Sequence, residues 1–202
     1  MELWRAANPL VLASKSNIRR ALLTAAGVAV EIVPSVVDER AVESDAQSVS
    51  AMAVAALLAR AKASAVALLR PGRLVLGADQ VLSLDGRRFS KATDRATARA
   101  QLRALAGRSH ELHSAIAFVQ DATVLFEHAS TARLRMRAFS DEFLESYLDA
   151  AGAAATESVG AYQLEGLGVQ LFESVDGDYF TVLGLPLLAA MDFLRRRGCL
   201  LA

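Results

Sequence analysis

The sequence predicts an α/β protein, a mixed β-sheet flanked by helices. Three observations carry that expectation. A short apolar run, Leu10 to Ala13, leads through a polar loop into Ile18, Ala21, Leu22 and Ala25 at helical spacing, which reads as a strand followed by a helix. Strand-like runs then recur in pairs around turn residues, as at Asp85-Gly86 and Gln120-Asp121-Ala122, so part of the sheet is built from hairpins. Helical segments lie between them, opened by Ser, Thr or Asp and stopped by Gly.

Composition bounds the function. With 202 residues, 53% of them apolar, the chain can bury a sizeable core as one large domain or two small lobes; we treat residues 1–202 as one domain. Formal net charge is zero, which argues against a broad basic surface for nucleic acid but allows a local basic pocket. Cys199 is the single cysteine, so neither an intramolecular disulfide nor a cysteine metal cluster is available, and an inert thiol is expected. The apolar run within Met1 to Ser14 is too short for a signal peptide. The longest apolar run, Ala51 to Ala59, falls far short of the ~20 residues that span a bilayer. A cytoplasmic protein with no membrane partner is expected. Of 22 basic residues only Lys15, Lys62 and Lys91 are lysine. Under such an arginine bias, the surviving lysines can mark places that need a compact ammonium.

In chain order, Ser16 or Asn17 suits the N-cap of the first helix, and Gly27 its stop. A strand, a polar loop and a helix N-terminus point backbone N–H groups at an anion site, with Ser14, Lys15, Ser16 and Arg19 nearby. There is no GxGxxG and no GxxxxGK[ST], so neither dinucleotide fingerprint nor P-loop is present. Val28 to Val33 reads as a second strand. Asp38-Glu39 follows in a polar segment, where paired carboxylates can hold a hard cation. Val49 to Leu69 is a long alanine-rich helix ended by Pro71-Gly72, and Lys62 on it would snorkel to water or serve a site.

Arg73 to Ala78 is a buried strand that delivers Asp79 at its end, just before a hairpin of Val81 to Leu84 and Arg87 to Phe89. A bare carboxylate beside such a run needs a partner, a metal or an opening, and Asp79 is taken as the chemical centre. Lys91 lies on a short connector able to fold back towards it, ahead of a helix capped at Thr93-Asp94 and stopped at Gly107. Leu112 to Val119 and Thr123 to Glu127 form a second hairpin. Thr131 to Ala138 alternates, with Arg133, Arg135 and Arg137 on one solvated face. His110 and His113 fall on opposite faces of a strand, and none of the three histidines is expected to bind metal. Ser140 caps a helix that ends at Gly152. Gly160 to Gly168 is a permissive loop carrying Glu165, where backbone can approach a ligand. Val169 to Val175 and Asp178 to Leu183 are read as a third hairpin. Pro186 opens the last helix in its first turn, and Gly198 stops it.

Several motifs then coincide. Leu12-Ala13-Ser14-Lys15-Ser16-Asn17-Ile18-Arg19-Arg20-Ala21-Leu22-Leu23 resembles the opening of the Maf-like nucleotide pyrophosphatases. Asp38-Glu39, Ala61-Lys62-Ala63, Gly77-Ala78-Asp79-Gln80-Val81, Gly107-Arg108-Ser109-His110, Glu165-Gly166-Leu167-Gly168 and Gly184-Leu185-Pro186-Leu187 match in the same order over nearly the whole chain. The resemblance implies an elongated sheet in two lobes around a cleft, similar to inosine triphosphatases. It implies hydrolysis of a nucleoside triphosphate to the monophosphate and pyrophosphate, a house-cleaning role, a divalent cation (Mg²⁺ or Mn²⁺), and a homodimer. Asp79 is then the proton acceptor, and Glu39 with Asp79 the metal ligands. Lys62 and Lys91 neutralise phosphate, while Ser14, Lys15 and Arg19 hold the leaving pyrophosphate. Ile18, Gln80 and Glu165 tune the choice of base.

Gln80 and Glu165 are similar to the branch acting on 7-methyl-GTP; the dTTP/UTP branch usually has threonine and glutamine there. Departures are Asn17 for proline, Ile18 for arginine or tryptophan, and Ser90-Lys91-Ala92 for Gly-Lys-Pro. The alternatives carried are a dTTP/UTP enzyme, an inosine triphosphatase, and a nucleotide-binding regulator of septum formation without turnover.

Overall fold

The computed structural model describes residues 3–46 and 49–201, so Met1 and Glu2 of the opening segment lie outside it. The β-α start forms as expected. β1 (Leu10–Leu12) is wholly buried, and α1 (Asn17–Ala25) is capped by the Ser16 hydroxyl. β2 (Val30–Ile32) pairs parallel to β1. Asp38-Glu39 does not sit in an open loop: Asp38 accepts from Ala41 N and caps a further helix, α2 (Glu39–Asp45). α3 (Ala51–Ala67) follows, capped by Ser50.

β3 (Leu74–Leu84) is one unbroken strand, with β4 (Arg87–Phe89) hairpinned onto its end. This corrects the position of Asp79, which lies mid-strand and not at a strand end. Its neighbours Ala78, Val81 and Leu82 are apolar and buried, and the pairing with the next long strand runs straight past it. α4 (Arg95–Leu105), β5 (Ser109–Gln120), β6 (Thr123–Met136) and α5 (Asp141–Ala151) come next. The two runs expected around residues 123–138 are thus a single strand. α6 (Ala154–Glu157), two short 3₁₀ turns and β7 (Phe172–Asp176) complete that region.

The third hairpin is not formed. β7 pairs with β6, and the segment after Gly177 winds into α7 (Tyr179–Val182). Asp178 explains the change, since its carboxylate accepts from both the N–H and the hydroxyl of Thr181, a cap that outweighs the β-propensity of Tyr-Phe-Thr-Val. In α8 (Leu187–Arg196), Pro186 is the N-cap and not a first-turn residue.

The sheet order is β2-β1-β3-β5-β6-β7, with β4 beside β3. β1 runs parallel to β2 and β3, and the other pairings are antiparallel. β1 stops pairing at Leu76 and β4 begins at Leu82. The edge of β3 between these points carries no strand, so a cleft can open onto Gly77 to Val81. Side chains alternate there between the two faces. Gly77, Asp79 and Val81 turn towards α3, whereas Ala78, Gln80 and Leu82 turn away.

Three clusters form the core. α3 covers one face through Leu58, Ala59 and Ala63 on Val75, Val81 and Ala117. α1 and α8 cover the other through Leu23 and Leu194 on Leu12, Leu76 and Phe118. Beyond the cleft, α4 and α5 close on Leu82, Leu112 and Leu134. The sheet runs through both ends, and the two lobes expected from the resemblance are these packings on either side of the cleft. Arg133 and Arg135 pair with Glu111 and Glu173 on an exposed face, as the alternation predicts. Cys199 is buried, and burial pushes its thiol up, away from the reactive thiolate.

His110 is 1% exposed and meets Tyr162 Oη at 2.6 Å, while its Nδ1 has no partner among the described residues. Burial pushes it down to about 4. An unfolded histidine titrates near 6.5, so between those values the unfolded chain holds the extra proton. Stability from this group is complete above pH 6.5 and is lost as pH falls to 4. The loss approaches about 3 kcal/mol. Denaturant titrations at pH 7.5 and 4.5 should show it as the part of the pH dependence missing from His110→Asn; equal pH slopes for the two proteins would remove the assignment.

Candidate active site

A cleft of about 780 Å³ opens on the exposed stretch of β3. Its walls hold Ser14, Lys15, Ile18, Arg19, Glu39, Lys62, Asp79, Gln80, Lys91 and Glu165; Asp38, read beside Glu39 as a second cation ligand, is not among them and caps α2 instead. They come from the β1–α1 loop, α1, α2, α3, β3, the β4–α4 connector and the Gly160–Gly168 loop. Volume of that order suits a nucleotide-sized ligand.

The floor is a charged triad. Lys62 reaches Asp79 Oδ1 at 2.6 Å and Glu39 Oε1 at 2.8 Å. Lys62 is 8% exposed and Asp79 6%, so Lys62 does not snorkel to water. It bridges two carboxylates, one buried on the strand and one at the cleft surface. A buried pair of this kind costs desolvation on both partners and persists only where geometry compensates. Burial raises the Asp79 carboxyl above its ordinary value, outweighing the opposing pull of Lys62 and Arg19. A carboxylate so placed is a stronger base than a solvated one.

Lys91 differs from Lys62. It forms no ion pair among the described residues, although it faces Glu39 and Asp79 across the cleft. Burial, then the Arg19 and Lys62 charges, lower its pKa. It is a cation available for a ligand's charge, as is Lys15 at the rim, and its place shows that the β4–α4 connector does fold back to Asp79.

Arg19 takes a role the sequence did not announce. Its Nε–H donates to Gly184 O at 2.8 Å, and Nη1 donates to Ala78 O at 2.8 Å and Ser14 Oγ at 3.2 Å. The guanidinium ties α1 to the open edge of β3 and to the turn before α8. Only Nη2 is left to meet a phosphate. At the start of α1, Ser14 and Ser16 hydroxyls fold onto the loop backbone. The N–H groups of Asn17 and Ile18, first in the helix, keep no intrahelical acceptor. Lys15 and Glu165 are exposed at the rim, and Ile18 is half-buried.

Sequence reading missed Tyr162 and Leu112, which form an apolar stretch of the wall. Tyr162 lay inside the glycine-rich loop and was legible as a bulky residue there. It also missed Ser114 and Thr181, which hold Gln80 from behind; nothing in the sequence joins residues so far apart. Among the described residues, no group of three or more His, Cys, Asp and Glu side chains is placed to hold a metal ion. No described helix is long and apolar enough to cross a membrane.

A buried acid with two lysines, below a helix N-terminus and beside the open edge of a mixed sheet, defines a site for a polyanionic ligand. The chain belongs to the Maf family: the model described as Maf-like protein matches residues 9–197. A protein of Nitrobacter hamburgensis is 51% identical over 200 residues, covering 99% of each chain, and is called nucleoside triphosphate pyrophosphatase. Proteins with the same name from Rhodopseudomonas palustris strain HaA2 (52% over 200 residues, 99% of each chain) and Paramagnetospirillum magneticum (51% over 190 residues, 93% of this chain and 98% of that one) are similarly close. A solved HAM1 protein from Coxiella burnetii aligns at TM-score 0.39 and 17% identity over 63% of this chain and 72% of that one, too slight a likeness to add to the sheet order above.

Proposed function

We propose that this chain hydrolyses a nucleoside triphosphate to the monophosphate and pyrophosphate. The observation that carries the reading is Asp79, a buried carboxylate with a raised pKa at the floor of a cleft that also holds Arg19, Lys62 and Lys91, in a chain whose close relatives bear the name nucleoside triphosphate pyrophosphatase. Asp79 Oδ1 is occupied by Lys62, which leaves Oδ2 to take the proton of a water attacking the α-phosphorus. The bond from that phosphorus to the α–β bridging oxygen breaks, and pyrophosphate leaves. Lys91 and Arg19 Nη2 stabilise charge on the departing oxygens. The α1 N-terminus, Ser14 and Lys15 hold the pyrophosphate.

A divalent cation, Mg²⁺ or Mn²⁺, suits the donor set. Glu39 uses one oxygen on Lys62 and keeps the other for such an ion, with phosphates completing the shell; Asp79, its Oδ2 kept for the proton, would be the second carboxylate charge beside the ion. Bound there, the ion would supply charge neutralisation on the phosphates. Glu165 and Gln80 face the base, two acceptors that suit the N1–H and N2–H₂ of a guanine such as that of 7-methyl-GTP. Ile18 offers no aromatic ring to a cationic purine, which favours dTTP or UTP as the second reading. The same proposal includes a homodimer at work in the cytoplasm, without nucleic-acid or membrane partners.

Pyrophosphate release from 7-methyl-GTP, GTP, dTTP, UTP and ITP should be measured with Mg²⁺ or Mn²⁺ and with a chelator. Turnover of at least one nucleotide is expected, falling by about a hundredfold or more without the cation. Binding without release on the whole panel would favour a regulator over an enzyme.

A further inference from the structure

One wall of the cleft stands on a strained turn. Gly160 and Ala161 both have positive φ, +80 and +64, and Tyr162, Gln163, Leu164 and Glu165, which follow, line the cleft. Glycine adopts that conformation freely, and residue 160 needs it for space as well: a Cβ there would lie 2.6 Å from Leu82 Cδ1 and 2.7 Å from Tyr162 Cε1. Alanine does not, because its Cβ crowds the following carbonyl oxygen. Ala161 is wholly buried, and a buried non-glycine residue keeps such a φ only where its surroundings force it.

Two hydrogen bonds from behind the wall supply the force. Tyr147 Oη, on α5, donates to Ala161 O at 3.2 Å. Tyr162, the next residue, meets His110 Nε2 through its hydroxyl at 2.6 Å, its ring edge-on to Phe172 at 4.8 Å. All of these groups but Phe172 are buried, so no water takes over a lost bond. Beyond the turn the wall moves as one body. Gly166 N donates to Gln163 O at 3.2 Å, and a Cβ at Gly168 would lie 2.4 Å from that same oxygen. Its far end is tied by Arg137 Nε, which donates to Gln170 O at 2.6 Å. Any movement at residue 161 therefore displaces Gln163, Leu164 and Glu165 together.

We propose that Tyr147 and His110 are positioning residues, which hold Ala161 and Tyr162 against backbone strain so that this wall stands in place before a nucleotide arrives. Neither is among the described residues lining the cleft. One left-handed alanine costs about what one neutral hydrogen bond contributes, each roughly fivefold in an equilibrium constant. Loss of either bond lets the strain tip the turn towards negative φ. Apparent affinity then falls with the fraction of molecules whose wall is in place. Asp79 and the lysines stand on other elements, so the chemical step is untouched. The inference rests on the reading that the cleft takes a nucleotide, and it is independent of which base is preferred.

Tyr147→Phe removes one oxygen from the clamp. KM should rise about three- to tenfold, by the same factor on every nucleotide turned over, with kcat within twofold of wild type. Amide hydrogen exchange should quicken at residues 161–168 and not in α3 or β3. His110→Asn draws the side chain away from Tyr162 and should raise KM in the same way. Ala161→Gly removes the strain and should leave KM near wild type; combined with Tyr147→Phe it should bring KM back to within about twofold. A merely structural tyrosine would lower the melting temperature and leave KM alone. Wild-type KM in Tyr147→Phe or His110→Asn, a fall in kcat as large as the rise in KM, or no recovery in the combined variant would each overturn the inference. If no nucleotide turns over, the hydrolase reading fails by itself, and calorimetric dissociation constants for the same variants replace KM in the same comparisons.

Discussion

Asp79→Asn is expected to lower pyrophosphate release by about a thousandfold or more, on whichever nucleotide the wild type prefers. Asparagine keeps the size of the side chain and can still meet Lys62 through its carbonyl oxygen, so the strand and α3 need not move. What it lacks is a site for a proton and a formal negative charge. Both losses fall on the same step: no group takes the proton of the attacking water, and the carboxylate charge beside a cation on Glu39 is gone. Lys62 and Lys91 do not replace it, being donors in their charged forms. Stability should change far less than rate. The variant removes a buried ionised group whose desolvation opposes folding, and Lys62 retains Glu39 at 2.8 Å. The check is kcat for wild type and variant at matched pH and cation, beside a thermal melt of each. A variant within tenfold of wild type, with an unchanged melt, would move the proton acceptor elsewhere in the cleft.

What the sequence allowed one to read follows the range of the forces involved. Caps are local, and Ser16, Asp94 and Ser140 were legible because each acts on an N–H three residues away. α7 was missed although its cap is as local. Asp178-Tyr179-Phe180-Thr181-Val182 has a cap at one end and strand formers after it, and one helical turn is too short for periodicity to settle the matter. Asp79 was assigned to a strand end because a carboxylate within a buried run is costly. The cost is met by Lys62, 17 residues earlier on another element, and no pattern within β3 reports it. The gap between β1 and β4 that exposes this stretch is likewise a matter of pairing lengths.

The site was legible as a set and not as a geometry. The ten residues given site roles through the resemblance line one cleft, whereas Asp38 does not join Glu39 there. Their division of labour emerged only in three dimensions. Lys62 is spent on carboxylates, Lys91 is free for a ligand, and most of Arg19 braces backbone carbonyls. Rarity of lysine singled out Lys15, Lys62 and Lys91, all three on the cleft wall, but a count carries no information about which partner each ammonium meets.

Gly77→Ala should produce the largest loss of stability. A Cβ at residue 77 would lie 2.1 Å from Ala59 O, 2.7 Å from Ala63 N and 2.9 Å from Ala63 Cβ. Two of these are backbone atoms of α3, so no side-chain rotation relieves the contact and the helix itself must shift. Overpacking at yielding sites costs about 1–3 kcal/mol, and this site does not yield, so about 3 kcal/mol or more is expected. For a chain of this size that lowers Tm by about 6–12 °C. Gly72→Ala is the control: its Cβ meets nothing within 4 Å, and only its φ of +72 opposes the change, a cost of about 1 kcal/mol. The contrast reaches the chemistry as well. Lys62 neighbours Ala63 on α3, and Asp79 lies two residues beyond Gly77 on the same face of β3. The close approach that Gly77 permits is therefore what brings Nζ to 2.6 Å from Oδ1. Folded Gly77→Ala protein should lose kcat along with Tm, whereas Gly72→Ala should lose a little Tm and no kcat. Equal melting temperatures for the two variants would mean that α3 does not pack on bare backbone at Gly77, and the account of how Asp79 acquires its partner would fall with it.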